Sequence, residues 1–249
     1  METETMTKTE TKTSTALTPP QDAPSWLIDS ADGPHGISFD PADQLRRYVK
    51  LLQANSGEAN ARDASTYVAE SEAGKWLFYP EQIVVDGVAG FGAFLCGLRR
   101  LHIEYLPARG GLVQVHETAP ADLVEVYDET KKRPTFVRAG NRNPVEDTRE
   151  LLLLADLPQG LLPYSFYATS TFIKPVCEIV TRLSLYRHPK TDKQLRSYAR
   201  KVRLVSVPDS NAFGRWFKPR FIDETWASKE EYAKAQEFAA LIERSNKAL

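Results

Sequence analysis

RHPKTDKQLRSYARKVRLVSVPDSNAFGRWFKPRF, spanning Arg187–Phe221, is the stretch whose reading decides the fold. After a basic loop, Val202 and Leu204 alternate with Arg203 and Val205, as residues on the two faces of a strand do. Asp209-Ser210-Asn211 and Gly214 mark a turn. Trp216–Ile222 then returns as a second strand. The pattern predicts a β-hairpin that closes a sheet. It also carries Arg187, Lys190, Lys193, Arg196, Arg200, Lys201, Arg203, Arg215, Lys218 and Arg220 against Asp192 and Asp209, in a chain of net charge −1. Tyr198, Phe213, Trp216, Phe217 and Phe221 lie among these cations. Cations that follow phosphates and flat rings that stack on bases are what a single-stranded nucleic acid requires of a surface. Strand alternation sends Trp216 and Phe217 to opposite faces, so one of the two is expected in the core.

Working outward, Phe172–Tyr186 reads as a helix. Ile173, Val176, Cys177, Val180 and Leu183 fall at helical spacing, and Pro175 lies in the first turn, where proline is tolerated. Before it, Trp76–Tyr79, Gly90–Leu106, Leu112–His116, Leu123–Tyr127, Thr135–Arg138, Thr148–Ala155 and Tyr164–Thr169 are short runs rich in β-branched and aromatic residues. Glu146-Asp147, after Pro144, reads as a turn. On the far side, Ser228-Lys-Glu-Glu231 is a capping-box pattern. It opens a C-terminal helix with Tyr232, Ala235, Phe238, Ala239 and Ile242 on its apolar side. Toward the N-terminus, Asp40-Pro41 opens a helix through Gln53, with Leu45, Tyr48, Val49 and Leu52 on one face. A polar loop, Glu58–Gly74, follows, so a helical extension is expected over about 40–74. Residues 1–24 are Thr, Lys and Glu with almost no bulky apolar side chain. They are expected to be a disordered tail, with a single domain over 25–249. No internal repeat is present.

A chain of 249 residues with 42% hydrophobic composition can bury a substantial core. Cys96 and Cys177 both sit in apolar runs and read as core thiols without metal spacing. A polar, threonine-rich start and interrupted apolar runs read as neither secretory signal nor membrane span. The expectation is a soluble, cytoplasmic protein. No G-x-S-x-G, P-loop or H-E-x-x-H occurs. His102 and His116, with Glu104 and Glu117 nearby, read as histidines on strand faces, and Gly90-Phe-Gly as close packing within a strand. The scattered carboxylates lack the cluster that a two-metal nuclease needs. No catalytic residue, metal or cofactor is therefore assigned.

A second basic group, Lys131, Lys132, Arg133, Arg138 and Arg142 around Phe136, repeats the mixture of cations and an aromatic. Arg99-Arg100 makes a third. For phosphates and bases the candidates are Lys131, Lys132, Arg133, Phe136, Arg138, Arg142, Arg196, Tyr198, Arg200, Lys201, Arg203, Phe213, Arg215, Trp216 and Lys218. The useful question is whether the two larger groups converge on one groove.

The element order of the C-terminal half resembles the single-stranded DNA-binding proteins of tailed bacteriophages, a divergent OB-fold group. The residues that carry it are LPYSFYATST (Leu162–Thr171) running into an apolar helix, the strand KVRLVSV (Lys201–Val207), a turn with Asn and Gly, WFKPRF (Trp216–Phe221), and EYAKAQEF (Glu231–Phe238) in the closing helix. The resemblance covers roughly Trp76–Ile242. It implies an α+β fold: an antiparallel, OB-like β-barrel with added helices and a C-terminal helix. The implied activity is sequence-tolerant binding of single-stranded DNA in phage or prophage replication and recombination, in the bacterial host cytoplasm. RNA, replication or recombination proteins and a second copy of the chain are further partners compatible with it. The chain departs from that family in ending on Arg244-Ser-Asn-Lys-Ala-Leu rather than an acidic tail. The alternative is a non-catalytic protein-interaction or virion-accessory protein; a nucleic-acid-processing enzyme ranks below both.

Overall fold

The structure, a computed structural model, describes residues 47–62, 65–107, 111–129, 133–188, 190–212 and 214–247. Two long strands organise it: β4 (Phe91–Tyr105) and β8 (Pro144–Leu157). They pair antiparallel from Gly92↔Asp156 to Glu104↔Val145. Leu151-Leu-Leu-Leu-Ala155 is continuously apolar because both faces of this ribbon are covered. Leu151, Leu153 and Ala155 join Phe91, Ala93 and Leu95 in the main core, whereas Leu154 and Phe94 point to a second apolar cluster on the reverse face.

The remaining strands are β1 (Tyr48–Leu51), β2 (Trp76–Tyr79), β3 (Ile83–Val85), β5 (Leu112–His116), β6 (Leu123–Asp128), β7 (Arg133–Arg138), β9 (Gly160–Thr169), β10 (Arg200–Asn211) and β11 (Gly214–Trp226). Among the described residues they join one sheet in the order β11-β10-β4-β8-β9-β1-β2-β3, with β5 on β4 and β6-β7 on β8. Its registers are antiparallel except for β1 against β9. The sheet curls strongly into an open half-barrel and, with two α-helices, gives a mostly β member of the α+β class. Trp76, Phe78, Phe91, Tyr164 and Phe166 fill the concave side in edge-to-face contacts. Helix α1 (Ile173–Ser184) adds Val176, Ile179 and Leu183 to the same core. Helix α2 (Lys229–Lys247) sets Ala235 and Ala239 against Phe94, Leu154 and Tyr198 on the reverse face. Its capping box forms as expected: Glu231 N–H donates to Ser228 Oγ at 3.2 Å and Ser228 N–H to Glu231 Oε2 at 2.8 Å.

Several expectations need correction. Tyr48–Leu51 is a strand, not the last turn of a helix, with Val49 and Leu51 buried and Lys50 turned out to Glu58 at 2.7 Å. A short apolar run fits both periods, and pairing with β2 and β9 settles it. The expected helix start at Asp40-Pro41 and the tail 1–24 lie outside the described residues. Within the rest of 40–74, a single 3₁₀ turn, Gly57–Ala59, is the helical content of the described part. Glu146-Asp147 is inside β8, because Pro144 stands at the first residue of the strand rather than in a turn. Cys177 is exposed on α1, on the side away from Val176 and Ile179. Cys96 is half-buried, and burial pushes its thiol up to about 12.

The open seam between β1 and β11 is clasped by one side chain. Gln53 donates its amide N–H to the Phe217 carbonyl at 3.0 Å and accepts from the Phe217 N–H at 2.9 Å, as a strand partner would. Gln53→Leu should leave both backbone groups half-buried without a partner. The expected loss is about 2 kcal/mol of stability, read by urea denaturation. A change within about 0.5 kcal/mol would show that water replaces the clasp without cost.

Candidate nucleic-acid interface

The β10-β11 hairpin is the expected feature, and its register assigns every side chain to a face. Leu204↔Phe221, Ser206↔Pro219 and Pro208↔Phe217 share the inward face. Arg203↔Ile222, Val205↔Arg220, Val207↔Lys218 and Asp209↔Trp216 share the outward one. Phe217 is therefore the core member of the Trp216-Phe217 pair and packs against the main cluster. Trp216 lies half-buried on the outer face with Lys218, Arg220 and Arg203. Its indole Nε1 is buried without a hydrogen-bond partner among the described residues. The loop Asp86–Gly90 lies over the inner end of this face. A Cβ at Gly90, whose φ is +65°, would stand 2.1 Å from the Leu204 carbonyl oxygen, so glycine is required for that approach.

Charge on this surface is less available than composition suggested. Arg203 is paired with Glu224 and also donates to the Ala89 carbonyl at 3.2 Å. Lys218 sits 2.9 Å from Asp209 and holds that carboxyl below its ordinary range. Lys201 lies between Asp156, at 2.5 Å, and Glu231, at 3.3 Å. Burial pulls its ammonium down, but the two carboxylates outweigh that and leave it raised. A cleft of about 660 Å³ opens beside Gly92, Lys201 and Arg203, yet Asp156 and Glu224 in its lining neutralise those cations. Arg200 pairs with Asp223 at 2.7 Å and lies against the Tyr186 and Trp226 rings. Arg196, Arg215 and Arg220 are exposed and make no ion pair among the described residues.

Tyr198 is not available for stacking. It is 7% exposed, wedged between Phe94 and α2, with its ring 5.2 Å from that of Tyr232. The 3₁₀ turn Ser197–Ala199 that precedes β10 directs it there, held by a hydrogen bond from Ser197 Oγ to the Leu95 carbonyl at 2.6 Å. Phe213, Lys131 and Lys132 lie outside the described residues, and Arg133 begins β7.

The second basic group stands elsewhere. β10 pairs with β4 at Phe91–Ala93, whereas β7 pairs with β8 at Pro144 and Val145, opposite Glu104. At ~3.3 Å per residue, about 40 Å of strand separates Gly92 from Glu104. The two groups thus occupy opposite ends of the β4-β8 ribbon and do not share a groove. The distal end is a wing in the order β5-β4-β8-β7-β6. Phe136 is 46% exposed on it, and Arg142 is exposed in the following loop. Arg138 is committed to Asp122, at 2.6 Å, and to Glu104, at 2.8 Å.

Glu104 is the centre of the wing. It is 2% exposed and accepts from Asn143 Nδ2 at 2.6 Å, Asn141 Nδ2 at 3.2 Å and Arg138, with His116 Nε2 at 3.0 Å. The Asn143 bond first, then those from His116, Asn141 and Arg138, outweigh burial and hold its carboxyl at about 2. His102 faces His116 across the β4-β5 pair, and burial lowers it. This network fixes strand ends to a loop. Among the described residues no group of His, Cys, Asp and Glu has a metal-binding arrangement, and no helix is long and apolar enough to cross a membrane.

Sequence reading passed over Trp226, which lies beyond the strand end assigned at Ile222. Its pairing with Arg200 extends β11 by a further turn of the ladder past a bulge at Lys201/Val202. An aromatic four residues after Ile222, in a segment without glycine or proline, was the available signal.

No curated protein and no solved structure matches this chain. Residues 24–248 match the family described as Pam3 phage gp34-like protein, and with nearly its whole length matched the chain belongs to that phage protein family.

Proposed function

We propose that this protein binds single-stranded DNA without strong sequence preference, in phage or prophage DNA replication or recombination in the host cytoplasm, on a divergent OB-type barrel. The observation that carries the reading is the outer face of the β10-β11 hairpin, where Trp216 shares one side with Arg203, Lys218 and Arg220. Membership of a phage family and the element order of the C-terminal half support it. The ion pairs set its strength. A phosphate must displace Glu224 from Arg203 and Asp209 from Lys218, so Arg220 provides most of the uncompensated charge on this face.

The consequence is a shallow salt dependence. With about 2–4 phosphates neutralised, log Kd against log salt should have a slope of roughly 1.5–3 for a dT oligonucleotide. Arg220→Glu should reduce that slope by about 0.7 or more and weaken binding several-fold. Fluorescence anisotropy measures both. Absence of binding at low salt would sink the reading.

A second reading, a protein-interaction or virion-accessory role, is favoured by the wing. Leu112, Val113, Val115, Val124 and Tyr127 are exposed there on β5 and β6, more apolar surface than a solvated sheet edge ordinarily carries.

A further inference from the structure

The cations of Arg187–Phe221 divide by element: on β11 Lys218 is paired, and Arg215 and Arg220 make no ion pair among the described residues. Those on β10 face carboxylates. Those of the preceding loop do not: Arg187, Lys190, Lys193 and Arg196, with Arg182 from the last turn of α1, are exposed and make no ion pair among the described residues. The loop is pinned rather than loose. Arg187 and Gln194 form a β-bridge, His188 N–H donates to the Lys193 carbonyl at 2.8 Å, and Leu195 N–H donates to the Tyr186 carbonyl at 3.0 Å. Its root is therefore Tyr186, and Tyr186 is where the exposed aromatic surface begins.

Tyr186 and Trp226 meet edge-to-face, with ring centroids 5.6 Å apart at 69°. The Arg200 guanidinium lies 4.6 Å from the Trp226 ring and 5.3 Å from that of Tyr186. Asp223 fixes the guanidinium at 2.7 Å and accepts a hydrogen bond from the Tyr186 hydroxyl. Every group behind Trp226 is thus held by another. Trp226 itself remains 52% exposed, a large flat ring with a fixed orientation and an open surface. A core aromatic would be covered, whereas this ring is backed on one side by the clamped guanidinium and open on the other.

We propose that Trp226 is the base-stacking platform of this protein and that Arg182, Arg187, Lys193 and Arg196 take the phosphates of the strand that passes over it. The inference rests on the reading of the protein as a single-stranded DNA binder and locates where a base is held. A rigid ring stacks on any base, which matches tolerance of sequence, and unpaired cations neutralise phosphates without first losing a protein partner. Its open ring makes this end of the sheet better suited to stacking than the outer hairpin face, where Trp216 is half-buried and Arg203 and Lys218 are paired, leaving Arg220.

The test uses the full chain with a dT oligonucleotide and with an otherwise identical oligonucleotide of abasic sites. Wild type, Trp226→Ala, Trp226→Phe and the double variant Arg187→Glu with Lys193→Glu are compared by anisotropy. Stacking predicts that Trp226→Ala weakens dT binding on the order of 10-fold or more. Trp226→Phe should keep most of the affinity, and the abasic strand should bind wild type and Trp226→Ala alike. The double variant, in residues whose contacts pinning the loop are made by the backbone and whose exposed side chains make no ion pair among the described residues, should weaken both strands and flatten the salt dependence. It also keeps the site testable should Trp226→Ala unfold. If wild type binds dT and abasic strands equally, or Trp226→Ala and the double variant both bind as wild type does, the platform is refuted while the broader reading stands. If wild type binds neither strand at low salt, the broader reading fails first.

Discussion

Glu104→Ala should destabilise the protein by about 3 kcal/mol, an effect concentrated on the wing. The substitution removes the acceptor of Asn143 and Asn141, the partner of His116 and one of the two carboxylates on Arg138. Asn143 is 6% exposed, so its amide cannot turn to bulk water for a substitute. The same carboxylate gives a signature in pH. Its folded value of about 2 lies below the ordinary ~4.3 of a glutamate. Its contribution is therefore complete above about pH 4.3 and is lost as pH falls toward 2. Glu104→Gln, which keeps the volume, should show less of this acid-side decline than wild type. Urea denaturation at pH 7 and at steps down to pH 3 measures both. A loss below 1 kcal/mol for Glu104→Ala would mean that backbone pairing alone holds β5 and β7 in register.

Much of the sheet was legible because its strands are long and regularly alternating. Val202 and Leu204 announced the inward face of β10, and the capping box at Ser228 placed α2 within a residue. Tyr48–Leu51 was misread because four residues cannot separate a 2.0 from a 3.6 period, and the partners that decide the matter, Trp76–Tyr79 and Ser165-Phe166, are distant in sequence. The site was less legible than the fold, for an electrostatic reason. Composition counts Arg200, Lys201 and Arg203 as free charge, but their carboxylates arrive from Asp156 on β8, Asp223 and Glu224 on β11, and Glu231 on α2. A local excess of cations on a nearly neutral chain must be answered somewhere, and only the fold shows which members are answered. Trp216 was rightly separated from Phe217 by alternation, whereas Tyr198 was wrongly counted as free because the turn that buries it has no periodic signature.

Trp76→Ala should cost about 4 kcal/mol, the largest loss from any single side chain considered. Trp76 is fully buried and stands where three parts of the half-barrel meet. It pairs with Leu51 of β1 and Val85 of β3, and its ring abuts Phe91 of β4 at 5.3 Å and Phe166 of β9 at 5.7 Å. Truncation would leave a cavity bounded by rings that are themselves locked edge-to-face, so collapse to fill it is limited. Trp76→Phe separates volume from polarity. The indole Nε1 is buried without a hydrogen-bond partner, and phenylalanine removes that unsatisfied donor along with part of the ring. The gain offsets part of the lost packing, and the expected cost is about 1 kcal/mol. Trp76 lies inside the sheet, so under the proposed function binding of a dT oligonucleotide by folded Trp76→Phe should equal that of wild type, in contrast to Trp226→Ala. Equal losses for Ala and Phe at this position would show instead that an unseen polar partner of Nε1, rather than ring volume, carries the stability of the core.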